Sequence, residues 1–166
     1  PRCRYWVGVP WQAFLIKVYY FDLSPHHGSD KDRHAMRVSR LRGAAWLWLH
    51  LPVIGYIFWI AEQLYYSLGQ REEDVFCADG DASLCIGYSY AWVGFLLSVT
   101  AVQALHTGQG HGHKKMGKTR RLSLRLLVAA LVAALGHIAY RFEEFSAIAY
   151  FWLVIGTMTV QVVRRR

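Results

Sequence analysis

Four stretches of the chain are apolar at nearly every position: residues 43–68, 84–105, 122–142 and 144–163. Each is about 20 residues or more, and at about 1.5 Å rise per residue a helix of that length matches the hydrocarbon core of a bilayer, roughly 30 Å thick. The pattern predicts an all-α fold, a polytopic transmembrane helical bundle with four complete spans in one domain over residues 1–166. A fifth apolar stretch, residues 5–21, carries Pro10 and Lys17 and predicts one partial or shorter amino-terminal span. A soluble bundle would set polar side chains at every third or fourth position of most helices, and Leu126 to Gly136 has none. Only Arg141 to Glu144 separate the last two stretches. A continuous helix over 122–163 would be about 63 Å long, twice the bilayer, with Arg141, Glu143 and Glu144 at its middle, so a tight hairpin is expected.

Small residues recur at helical spacing within these stretches. Gly87, Ala91, Gly94, Ser98 and Ala101 form one stripe, and Ala129/Ala133 with Ala130/Ala134 form small-xxx-small pairs. Such faces let helix backbones approach closely where lipid removes the hydrophobic drive to associate, so both are read as packing surfaces. Aromatic rings mark the boundaries: Trp46 and Trp48 at one end of the second span, Tyr65 and Tyr66 at the other, and Tyr88, Tyr90 and Trp92 at the start of the third.

Composition agrees with this pattern. The 166 residues are 54% hydrophobic and 18% charged, more apolar matter than a soluble domain of this size can bury. The 19 basic and 11 acidic residues give a net charge of +8, which in a soluble chain would point to nucleic acid. Here the basic residues lie between and after the apolar runs and read as topology markers, so no nucleic-acid partner is expected and the lipid bilayer is. Lys31, Arg33, Arg37, Arg40 and Arg42 fall in 22–42, Lys114, Lys115, Lys118, Arg120 and Arg121 in 106–121, and Arg164 to Arg166 end the chain. The connector 69–82 instead holds Glu72, Glu73, Asp74, Asp79 and Asp81 against Arg71. The positive-inside rule puts 22–42, 106–121 and the carboxy terminus in the cytoplasm and the acidic connector outside, an alternation consistent with four spans; Arg2 and Arg4 would then lie outside, against the trend.

Several motifs bear on chemistry. Gly112 to Thr119 satisfies the phosphate-loop pattern G-x-x-x-x-G-K-[ST], yet that loop requires a strand before it and a soluble α/β sheet around it, and neither fits between two spans. Gly87 to Ala91 approaches a nucleophile elbow but lacks its last glycine and its strand-turn-helix setting. With no nucleophile spaced to meet a base, no catalytic centre and no cofactor are expected. His106, His111 and His113 alternate with glycine in a flexible connector that suits a divalent metal, set against the simpler reading of a solvated linker. Cys77 and Cys85 flank the outer connector at a spacing that permits a disulfide; Cys3 falls on the same side and leaves the pairing open, and Cys85 reads equally as a small apolar residue.

Ionisable and amide groups within spans are costly and therefore mark candidate functional positions. These are His50, Glu62, Gln103 and His137, with Asp22 at the end of the first stretch. His50 stands two residues before Pro52, which lacks an N–H and should free the carbonyl of Trp48. His50 and Glu62 are about 18 Å apart along one helix, so each needs a partner on another helix or in water. Antiparallel packing of the first two spans would bring Asp22 and His50 to similar depth, and His50 is expected to face protein or a water-filled cavity rather than lipid.

Val18-Tyr19-Tyr20-Phe21-Asp22, a basic connector, and Trp48-Leu49-His50-Leu51-Pro52-Val53-Ile54-Gly55 together resemble the middle of the low temperature requirement A (LtrA) membrane proteins. The resemblance covers about residues 14–66 and carries over to Tyr20, Phe21, Asp22, His50, Pro52 and Gly55. It implies a polytopic helical membrane protein of undefined biochemical activity. Because the family's amino-terminal span is not matched here, it also implies a carboxy-terminal portion of a longer chain, with the missing spans as partners. The competing reading is an ion or small-solute transporter or channel in which His50, Glu62 and His137 line a polar path.

Overall fold

A computed structural model describes the backbone of residues 3–21, 39–69, 82–105, 118–141 and 152–159, with side chains over 9–20, 39–66, 86–105, 122–139, 141 and 152–159. These residues form α1 (Cys3–Phe21), α2 (Arg40–Gly69), α3 (Ala82–Leu105), α4 (Lys118–Arg141) and α5 (152–159), and no strand occurs among them. The all-α expectation is met.

Among the described residues three helices are long and apolar enough to cross a membrane, over Arg40–Tyr66, Ile86–Leu105 and Leu122–Ala139. They are three of the four complete spans expected from the sequence. Of the fourth stretch, 144–163, residues 152–159 are described, and they are helical. Its other residues and the hairpin at 142–144 lie outside the described residues. Helix α1 continues through Pro10 for 19 residues and is not among the three.

Ser39 starts α2. Its hydroxyl accepts from the Arg42 N–H at 3.2 Å and its carbonyl from the Gly43 N–H at 2.9 Å, so a residue with an oxygen side chain caps otherwise orphan amides. The cap begins the helix before the apolar run predicted from residue 43.

Helix α3 is central: half of its apolar window is buried, against 33% for α4 and 11% for α2. A Cβ built at Gly87 would come within 3.0 Å of Gln63 Oε1, and one built at Gly94 would overlap the Tyr56 ring. Gly87 with Gln63 and Gly94 with Tyr56 place α2 antiparallel to α3, and the small-residue stripe of α3 faces α2 as expected. Tyr90 near the start of α3 meets His137 near the end of α4, so that pair is antiparallel as well.

Helix α4 buries Arg125, Val128, Ala129, Val132, Gly136 and Ala139, one stripe at spacings of three and four. Of the two alanine pairs, Ala129/Ala133 turns inward, Ala129 buried and Ala133 half-buried, whereas Ala130 and Ala134 are exposed. The core joins Leu15 and Tyr19 of α1, Val53 and Ile60 of α2, Trp92, Phe95 and Val99 of α3, Val128 and Val132 of α4, and Val154 and Met158 of α5.

Gly94→Ala is expected to lower the thermal unfolding midpoint in detergent, because overpacking against the Tyr56 ring costs about 1–3 kcal/mol. Gly55→Ala, where a Cβ meets nothing within 4 Å, should leave the midpoint unchanged or raised. Equal effects at the two glycines would contradict the α2–α3 register.

Candidate functional site

The polar groups that the fold turns inward gather around α1. Gln12, Leu15 and Tyr19 are the three buried residues among those described on α1, spaced three and four apart on one face. The Gln12 Nε2–H donates to the Tyr88 hydroxyl of α3. The Tyr19 hydroxyl donates to the Met158 carbonyl of α5 at 3.2 Å, and Trp11 Nε1–H donates to Thr159 Oγ1 at 3.0 Å. Above the Tyr19 ring, 5.9 Å from its centroid, lies the guanidinium of Arg125, only 2% exposed. A cation over an aromatic face is attracted by the ring quadrupole, and the attraction strengthens away from water. Helix α1 is thus tied to α3, α4 and α5 through polar groups carried on two faces.

Sequence reasoning singled out neither Arg125 nor Gln12. Both left a signal. Arg125 is the one charge between Leu122 and Tyr140, in register with Val128, Ala129 and Val132, and Gln12 lies seven residues before Tyr19, two helical turns on the same stripe.

The residues named from sequence fall in separate places. His50 is half-buried; its Nδ1 lies 2.6 Å from the Trp46 carbonyl, which can only accept, so Nδ1 carries the proton. The imidazole stacks at a tilt on Trp46, with centroids 4.0 Å apart, and meets the Tyr20 ring edge-on at 5.8 Å. His50 therefore faces protein at the end of α1. The carbonyl it occupies belongs to Trp46, one turn back, and not to Trp48, which Pro52 deprives of its donor. Glu62 is exposed on α2, and Gln103 is half-buried on α3. His137 is exposed, with Nε2 3.1 Å from the Tyr90 hydroxyl. Gly55 is exposed as well, so it opens no close helix contact among the described residues.

Asp22, Cys77, His106, His111 and His113, and the side chains of Cys3 and Cys85, lie outside the described residues. Among the described residues no group of three His, Cys, Asp or Glu side chains is placed to hold a metal ion. No family model matches the sequence, nor does any curated protein or solved structure.

The role of Tyr19 separates into two measurable parts. Tyr19→Phe removes the hydrogen bond to Met158 but keeps the ring under Arg125, and should cost about 0.6 kcal/mol, at most roughly 1.7. Tyr19→Leu also removes the cation–ring contact and should cost a further ~0.5–2 kcal/mol, read from unfolding midpoints in detergent. Equal losses in the two variants would remove Arg125 from the account.

Proposed function

We propose that the chain is a multi-pass integral membrane protein of the LtrA type, with its basic connectors 22–42 and 106–121 and its carboxy terminus in the cytoplasm, working through its helical bundle rather than as an enzyme. The observation that carries this reading is the direction of the side chains. Gln12, Ser89 and Arg125 are buried, whereas Trp48, Phe58 and Tyr65 of α2 are 69%, 71% and 75% exposed and Leu126, Leu127 and Leu131 of α4 also point outward. That arrangement suits hydrocarbon as the surrounding solvent and would leave large apolar patches in water. The LtrA reading rests on the resemblance over residues 14–66, within which the Tyr20 and His50 rings meet edge-on.

Impermeant thiol labelling tests the reading. In a background with Cys3, Cys77 and Cys85 replaced by Ser, Gly80→Cys should react in intact cells, and Ser29→Cys and Gly110→Cys only after the membrane is opened. Labelling of Gly110→Cys from outside overturns the orientation, and recovery of the protein in the soluble fraction overturns the membrane reading itself.

A second reading, an ion or small-solute pathway, is favoured by His50, an ionisable span residue that faces protein rather than lipid. In proteoliposomes with an entrapped pH dye it predicts proton flux above that of lipid alone, lost in His50→Leu at equal insertion. Wild-type flux no greater than that of lipid alone ends this second reading.

A further inference from the structure

Three buried polar atoms on the facing sides of α1 and α3 have no protein partner among the described residues: Gln12 Oε1, Ser89 Oγ and Trp92 Nε1. Their residues are 1%, 2% and 0% exposed. Gln12 and Tyr88 are joined by a hydrogen bond, and the Tyr88 and Trp92 rings meet edge-on with centroids 6.5 Å apart. At about 100° per residue Tyr88, Trp92 and Ser89 fall within a sector of roughly 100° on α3. Gly87 and Gly94, which face α2, lie outside that sector. The sector of α3 that receives Gln12 of α1 through Tyr88 thus also carries Trp92 and Ser89.

Leaving such atoms bare in a bundle surrounded by hydrocarbon costs several kcal/mol for each. A buried indole N–H ordinarily finds an acceptor. Exchanging the two ends of the Gln12 amide does not help, because whichever end meets Tyr88 leaves the other without a partner. The unmet groups are one obligate donor, Trp92 Nε1–H, one acceptor, Gln12 Oε1, and one hydroxyl of either kind, Ser89. Water has that complement: it accepts from an indole and donates to a carbonyl oxygen and a hydroxyl, and buried water typically makes about three hydrogen bonds to otherwise unsatisfied groups. A metal cation is disfavoured by the indole proton, and an anion by the amide oxygen. Ser89 and Trp92 also stand three and six residues into the span that begins at Ile86, within about 10 Å of its end, a short path for water to enter.

We propose that the α1–α3 interface is a binding site for internal water, held by Trp92 Nε1–H, Gln12 Oε1 and Ser89 Oγ.

The experiment uses the full chain in bilayers of deuterated lipid, with indole nitrogen-15 labelling. Magnetisation transfer from water to the Trp92 indole proton should be as efficient as to an interfacial indole such as Trp48, the resonance being assigned by its loss in Trp92→Phe. Thermal unfolding of Ser89→Ala in detergent should show a midpoint lower by roughly 2–4 °C, because the bound water loses a partner. Failure of transfer to Trp92, with Trp48 as the positive control in the same sample, overturns the proposal. A midpoint in Ser89→Ala that is unchanged or raised overturns it too, since that is the result for a hydroxyl which is bare or has turned back to its own helix.

Discussion

A polar group removed from water must find a partner, and that demand is strictest where hydrocarbon replaces solvent. In this bundle the demand explains why α1 docks as it does. Its exposed apolar residues Trp11 and Phe14 stack on each other at 5.1 Å without entering the core, whereas Gln12 and Tyr19 carry polar atoms that must be met by other helices. Tyr88 meets Gln12, Met158 and Arg125 meet Tyr19, and Thr159 accepts from the Trp11 indole. The same demand acts within single helices. Thr100 and Thr157 return their hydroxyls to the carbonyls of Leu96 and Leu153 at 2.6 and 2.8 Å, so two further polar atoms are satisfied within their own helices, and Thr159 does the same to Ile155 at 2.8 Å while accepting from Trp11.

Packing then follows from size. Helix α2 packs closely on α3 because small residues of α3 admit it: Gly94 leaves room for the Tyr56 ring and Gly87 for the Gln63 amide. On α4, Ala129 and Gly136 occupy the inner face alongside Val128 and Val132. The larger Leu126, Leu127 and Leu131 of the same helix point outward, where in a bilayer they would meet lipid without penalty.

The ionisable groups of the spans divide by the same rule. His50 finds a carbonyl and two aromatic rings, and His137 finds a tyrosine hydroxyl. Glu62, on the exposed side of α2, stands four residues before the end of the 27-residue apolar span, near water whichever way the helix is oriented. Arg125 is the exception in depth of burial, and it lies where an aromatic face is supplied by another helix.

Much of the architecture was legible in the chain itself. Helix type, three of the expected spans and the small-residue face of α3 follow from composition and spacing, because length against bilayer thickness and the 3.6-residue period are local properties. That His50 faces protein was also expected from its cost in lipid. Which of two equivalent alanine pairs on α4 turns inward, that Gly55 opens no close contact, and that Gln12, Tyr88, Tyr19 and Arg125 are the groups that join helices were decided by tertiary structure. The reason is physical: a span's hydrophobicity is nearly the same all the way round its axis, so its sequence fixes whether it enters the membrane but barely its rotation about that axis. Rotation is set by a few polar atoms and small residues, and their worth depends on what neighbouring helices present at the same depth.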